Sequence, residues 1–590
     1  MASGRLRISG IELTCGKEVE SAELTIGSQK HALSRQLNNG VLCADFNPVL
    51  IEKASKEPFF LLVTYLRFWQ PSHKVKFKLS EVLDTSQANE FHQVSGKLNI
   101  VLRLSPESPG ARPLSPTIEG ILQQCPRFRV LVIGKSGVGK TTLINHTFGI
   151  KNAFAEHDKR GLADITKELI SEQNSRFILH DSRGFEQGDV DNLDVATKFI
   201  KERRNNEDIK EQLHAVWLCF QIPDTDAGQR MMEAGMEQFL QQKKDILGNV
   251  PTIFIFTKYD LLITAIELPW CQSGKDYTPA DVELKAKQLL ETRCIQPIRD
   301  LTEETNIPYI AVSMDDRDKR EELIQLTYDK VSEFFGNQPG KATSAVPTLA
   351  AMAQRVAPDL KIEGSIKVGK QRYWQAIFAG TVFSERSMQV CLGVIHDDII
   401  GLWNFRDEGK LLRSEELREF MMNLVNLLDR PMDCPPSPQR SETMSSMQKE
   451  GFPLVSFMMC ALPFVAGLQL VQWAYNVFQK TPDVQRNFIA YIVDLTNVLD
   501  ILFTLTAGRS EENLNIKAIK AAYKGYYGST RRTHVHTQIR GYSPSILGSN
   551  DVISAIETLV RQRYNTDTEL ARKVGAVSAN DLEGEETWYP

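Results

Sequence analysis

No two of the nine cysteines stand in a C-x-x-C pair. Cys15, Cys43, Cys125, Cys219, Cys271, Cys294, Cys391, Cys434 and Cys460 are scattered and odd in number. That spacing excludes the common zinc frameworks and a small disulfide scaffold. It points to reduced thiols and a cytoplasmic compartment. The opening MASGRLRISG lacks the basic-then-apolar layout of a secretory signal. Neither sign of charge dominates: 69 Lys and Arg against 74 Asp and Glu leave a formal net charge of -5. Nothing in that balance favours nucleic acid or an acidic membrane as a partner. What is present is ordinary globular composition, 42% hydrophobic and 24% charged over 590 residues. At roughly 100–200 residues per domain, that length predicts three or four domains.

Residues 1–104 carry short β-rich runs such as FFLLVTYLRF, KVKFKLSEVL and KLNIVLRLS, broken by Gly, Asn, Pro and Ser. Alternation in KVKFKL suits strands with one face on a core and one in water. A β-sandwich is expected. Its strand rhythm resembles the calcium–lipid-binding type, without the clustered aspartates that would hold Ca²⁺. Residues 105–117 read as a Pro-rich linker, since Ser105 to Pro116 holds four prolines that block helix and ladder bonding. Residues 118–338 change texture to strands alternating with helices, the mark of a parallel α/β sheet. Arg127–Gly134, Arg176–Ser182, His214–Ile222, Thr252–Lys258 and Pro308–Ser313 are nearly continuous apolar runs, as strands covered on both faces require.

The remainder divides into a helical region at 339–430, a flexible Pro/Ser-rich loop at 431–450, a helical hairpin with a basic region at 451–572, and an acidic tail at 573–590. Phe452–Phe478 contains no charge and is long enough to cross a bilayer at about 20 residues. Asp494 and Asp500 interrupt the apolar segment that follows, and carboxylates in lipid cost several kcal/mol. Two readings therefore stand for 452–505: a buried or peripheral hairpin, and a membrane-associated one. Lys517–Tyr542 is basic, with tyrosines and no acid; it reads as a solvated surface, with phosphate contact as the alternative. His396, Asp397 and Asp398 lie in an amphipathic helix without a companion ligand, which favours structural roles over a metal site.

Gly134-Lys135-Ser136-Gly137-Val138-Gly139-Lys140-Thr141 matches G-x-x-x-x-G-K-S/T, after an apolar strand and before a helical run that begins with Thr142. Glycines let backbone N–H groups turn inward around phosphate oxygens, and the helix N-terminus adds partial positive charge. Lys140 is expected on the β- and γ-phosphates, and Thr141 on Mg²⁺. Thr257-Lys258-Tyr259-Asp260 resembles the N/T-K-x-D element of the P-loop GTPases. That resemblance implies GTP or GDP as ligand, with Asp260 accepting from the guanine ring and Lys258 lying along the base. It also identifies Asp181-Ser182-Arg183-Gly184 with the D-x-x-G element, so that Asp181 holds Mg²⁺ through water and the Gly184 N–H senses the γ-phosphate. Thr166 becomes the first-switch threonine, closing over metal and phosphate. Ser313 and Met314 occupy the place of the family's S-A-K loop, of which the serine alone is kept. HAVWLCFQI, HDSRGFEQG and the KQRYWQAI and LGVIHDDIIGLWNF stretches resemble fungal G-domain proteins with a helical C-terminal extension.

One position departs from the Ras-like pattern. Phe185 stands where a glutamine would orient the attacking water. The resemblance thus implies a slow, Mg²⁺-dependent GTPase that acts as a switch or assembles with itself. A homodimer or an activating partner would then supply the missing contact. The rival reading is a scaffold that binds GTP without hydrolysing it. An ATP-dependent enzyme is disfavoured by Asp260, because adenine presents the opposite donor pattern on that edge.

Overall fold

The structure is a computed structural model. It describes residues 5–15, 19–26, 29–35, 41–52, 59–65, 72–78, 81–82, 90–105, 114–150, 164–182, 190–224, 228–274, 276–313, 316–336, 345–379, 382–383, 386–429, 478, 481–507, 512–542, 549–563, 565, 567–582, 584 and 586–588. The N-terminal strands are β1 (Arg5–Cys15), β2 (Val19–Ile26), β3 (Gln29–Ala32), β4 (Ser34–Arg35), β5 (Val41–Glu52), β6 (Phe59–Tyr65), β7 (His73–Lys76), β8 (Glu90–Ser95) and β9 (Leu98–Ser105). They form two antiparallel sheets, ordered β4-β5-β1-β9-β8 and β3-β2-β6-β7. Alternate residues of both sheets, Ile11 and Leu13 of β1, Leu61 and Val63 of β6, and Ile100 and Leu102 of β9, join one buried cluster. The period-2 pattern read in the sequence is what puts those side chains on one face.

The central strands are β10 (Phe128–Ile133), β11 (Leu169–Ser171), β12 (Asn174–Ser182), β13 (Ala215–Gln221), β14 (Thr252–Thr257) and β15 (Tyr309–Val312). They make one sheet in the order β11-β12-β10-β13-β14-β15, parallel except for the short edge strand β11. Val130, Val132, Trp217 and Ile255 pack on one face, and Leu131, Ile133, Leu218 and Phe256 on the other. Both faces are covered, hence runs without a polar alternate. The chain passes from β10 to β12 on one side and then to β13 on the other. Ligands of such sheets bind at the strand carboxyl ends where the order reverses.

A largely helical part follows. The helix Pro482–Leu505 lies at its centre and packs against Met388–Trp403, Glu415–Asn426, Ile516–Tyr527, Thr530–Gly541 and Ser549–Arg561. By length and mean hydropathy, 1.7 over its most apolar window, this helix could cross a membrane, yet 89% of that window is buried by the protein. Its carboxylates have partners: Asp494 accepts from Tyr526 at 2.7 Å and from His536 at 2.9 Å, and Asp500 accepts from Arg563 at 2.9 and 3.0 Å. Apart from Phe478, the segment Phe452–Phe478 lies outside the described residues, as does the loop at 431–450.

The helix Ala345–Ala353 has all nine residues buried and belongs to the cluster on one face of the central sheet. Beyond it the Arg355 N–H donates to Thr147 O at 2.8 Å, in the last turn of the helix Lys140–Phe148. Asn174 Nδ2, at the start of β12, donates to both Phe148 O (2.8 Å) and Ala353 O (2.7 Å). Asp398 accepts from the Ile118 N–H at 2.9 Å, at the first turn of the helix Thr117–Gln124, which has no side-chain cap of its own. Burial pushes this carboxyl up to about 7.

Candidate functional site

β10 ends at Ile133, and the chain must then turn sharply beside β13. A Cβ on Gly134 would stand 2.6 Å from Cys219 O, so any side chain there would push the two strands apart. Gly137 and Gly139 hold φ of 78° and 95°, left-handed values natural to glycine. Gly139 is the N-cap of the helix Lys140–Phe148 and provides no side-chain cap. The first-turn N–H groups therefore face the loop, which suits an anion. Lys140 Nζ donates to Gly134 O at 2.7 Å and lies 3.9 Å from Asp181 Oδ1, at the end of β12. An ammonium, turned-in N–H groups and glycines without side chains fit an oxyanion. Thr141 in the same first turn and Asp181 opposite are hard oxygen donors of the kind Mg²⁺ takes.

Thr166 sits in the stretch before β11. Its N–H and hydroxyl both donate to Asp164 Oδ1, at 2.9 and 2.7 Å, which lowers the Asp164 pKa. Two neighbours tie this stretch to the sheet. Ile165 O accepts from His180 Nδ1 at 2.8 Å, and Glu168 accepts from Arg129. Arg129, 2% exposed, also donates to His180 Nε2 at 2.8 Å and to Lys210 O at 3.0 Å. Those bonds assign the His180 tautomer: Nδ1 carries the proton and Nε2 accepts. Burial, with the Arg129 charge in support, lowers its pKa to about 4. Arg129, His180 and Glu168 were absent from the residues singled out by motif. Their signal was a charged residue inside the apolar run RFRVLVIG, and its partners lie far away in sequence.

At the other end of the site, Thr257 is fully buried and its hydroxyl donates to Phe220 O at 3.2 Å, joining the ends of β14 and β13. Lys258 has φ of 62°, caps the helix Tyr259–Gln272, and donates to Gln221 Oε1 at 2.8 Å. Asp260 follows in the first helical turn, exposed. Ser313 is half-buried just past β15. Lys140, Asp181, Thr257 and Ser313 thus all lie at the carboxyl edge of one sheet. Arg183, Gly184, Phe185 and Met314 fall outside the described residues. Beside the glycine-rich loop, a cavity of about 340 Å³ is lined by Lys135, Ser136, Gln221, Arg230 and Glu233. Lys135 and Glu233 form an ion pair across it at 2.9 Å.

A family described as 50S ribosome-binding GTPase matches residues 129–258. A family described as a domain of unknown function matches residues 411–571. GTPase Era of Nitrosomonas eutropha is 24% identical over 228 residues, covering 37% of this chain and 70% of that protein. The crystal structure of a probable GTP-binding protein, engB, aligns at 17% identity with a TM-score of 0.22, covering 35% of this chain and 99% of that one. The first match runs from the second residue of β10 to Lys258, the span that carries the glycine-rich loop, Asp181 and the approach to Asp260. The central part of this chain is a P-loop GTPase G domain that binds guanine nucleotide.

Proposed function

We propose that the chain hydrolyses the γ-phosphate of bound GTP with water, giving GDP and inorganic phosphate, and changes its switch loops as it does so. The observation that carries this reading is the convergence of Lys140 and Asp181, 3.9 Å apart, beside the uncapped helix N-terminus. Lys140 would hold the β- and γ-phosphates, with the N–H groups of Lys135 to Thr142 around them. Thr141, Asp181 and Thr166 would hold Mg²⁺, which neutralises phosphate charge when bound. Thr166 would have to exchange its Asp164 contact for that role. Gly184 would sense the γ-phosphate, while Lys258, Asp260, Ser313 and Met314 would hold the base. The N-terminal pair of sheets would be a calcium-independent sandwich of lipid-binding type. The protein would work in the cytoplasm, and any membrane contact from 452–505 would fall to its first part, since Pro482–Leu505 is buried by the protein.

Phe185 favours a second reading, a scaffold that GTP orders without turnover, because phenylalanine cannot orient water. Single-turnover GTP cleavage decides between them, run with Mg²⁺ and with chelator over a wide range of protein concentration. A GTPase completed by a second copy or a partner gives slow, Mg²⁺-dependent cleavage that rises with concentration of that contributor. GTP that stays bound and intact at every concentration, partner and lipid tested makes the protein a scaffold.

A further inference from the structure

The chain buries two cations here, Arg355 at 6% exposure between the helices Ala345–Ala353 and Pro358–Gln371, and Lys361 at 0% in the first turn of the second helix. Lys361 Nζ donates to Met352 O at 2.8 Å. Arg355 Nη1 donates to Asn404 O, at the carboxyl end of the helix Met388–Trp403. Helix-end carbonyls carry about half an elementary charge between them, less than a guanidinium brings. Buried charges are ordinarily matched by an opposite charge. Here, among the described residues, no carboxylate offsets the burial of either: desolvation pushes the Arg355 pKa down to about 10, and burial and Arg355 both lower Lys361. Among the described residues, Arg355 Nε has no hydrogen-bond partner.

Arg355 also lines a cavity of about 40 Å³, with Phe405, Arg406, Phe503, Thr506 and Glu512 among its walls. One water needs roughly 10–15 Å³ on that measure, so the space admits a small polyatomic group. Phe405 and Phe503 meet edge to face at 6.2 Å and make the walls apolar, which strengthens any charge contact inside. Glu512 is exposed and solvent-screened, whereas Arg355 is buried.

We infer that this cavity binds a small oxyanion, the carboxylate or phosphate end of a ligand, on the Arg355 guanidinium. A planar fork of N–H donors matches either group. The Arg355 backbone N–H holds Thr147 O, so the residue that would carry the ligand is itself fastened to the last turn of the glycine-loop helix.

The test uses the full chain loaded with GDP, so that the nucleotide loop is filled. Inorganic phosphate and, separately, acetate are titrated by calorimetry and thermal shift. Saturable binding of at least one is expected, and which one binds identifies the ligand group. Arg355→Met should weaken it about tenfold or more, the loss of a charge-assisted contact. Ala507→Val, which takes up part of the cavity and leaves the Arg355 side chain itself unchanged, should weaken binding too and decides the matter if the first variant does not fold. No binding of either anion by the wild-type chain, or undiminished binding by both variants, overturns the inference.

Discussion

The Asp260 carboxylate is exposed in the first turn of its helix, placed there by Lys258 in a left-handed conformation. If it accepts from the guanine ring and amine, Asp260→Asn exchanges an acceptor for a donor. Affinity should then move from guanosine towards xanthosine nucleotides, measured as the ratio of the two dissociation constants. An equal loss for both would mean that Asp260 does not read the base. Such residues were legible in sequence because the ligand imposes short local spacings on them. A phosphate needs its glycines and Lys140 within eight residues, Gly134 to Thr141. Arg129 was illegible for the opposite reason. Its partners Glu168 and His180 lie 39 and 51 positions away, and nothing local marks a buried arginine as the fastening of the Thr166 loop.

Among the elements, the five apolar runs became β10, β12, β13, β14 and β15 because full burial on both faces leaves no other composition open to them. β11 escaped notice: three residues on an edge, with exposed Ile170 at its centre, carry too little pattern. The helix Ala345–Ala353 is apolar all round and so has no stripe to reveal which neighbour covers it. The basic stretch 517–542 illustrates a different gap. Arg531 donates to Leu559 O, Arg540 to Leu427 O and Leu428 O, and Lys520 to Glu586, so much of its charge serves helix-end carbonyls and a carboxylate within the protein. Asn174 does similar work for the glycine-loop helix, tying its last carbonyl region to Ala353. Asn174→Ala would leave two buried carbonyls without that donor. At about 1–2 kcal/mol for each lost bond, the variant should be destabilised by about 2–4 kcal/mol in urea unfolding. A change below about 0.5 kcal/mol, the range of ordinary surface substitutions, would show that the tie carries no load.

At the scale of the molecule, the sheet and the helical part share a core. Leu349, Met352 and Leu402 belong to the same cluster as Val130 and Trp217. Probes in either part should therefore report one unfolding transition. Acid tests this. Burial lowers His180 and His214 to about 4 in the G domain, and His396 to about 3 between Met388 and Trp403. Each is held neutral, His396 between the Tyr491 hydroxyl and Leu412 O. A histidine whose folded pKa is depressed binds protons more readily in the unfolded chain. Its contribution is complete above about pH 6.5 and is lost as the pH falls towards the folded value. At pH 5 that amounts to about 2 kcal/mol per histidine, against a total stability of roughly 5–15 kcal/mol. Asp398, raised to about 7, works the other way: its stabilisation is complete when it is protonated at low pH and is lost as the pH rises through 7. A comparison of two proteins removes that offset. Between pH 7.5 and 5 the wild-type chain should lose about 2 kcal/mol more than His396→Gln, whose amide has no proton to gain. Tryptophan fluorescence and the GDP-binding transition should move together, because Trp217 and Trp403 flank the shared core. Equal losses in the two proteins would mean that His396 titrates normally. Transitions that separate with pH would mean that the two parts unfold independently despite their common cluster.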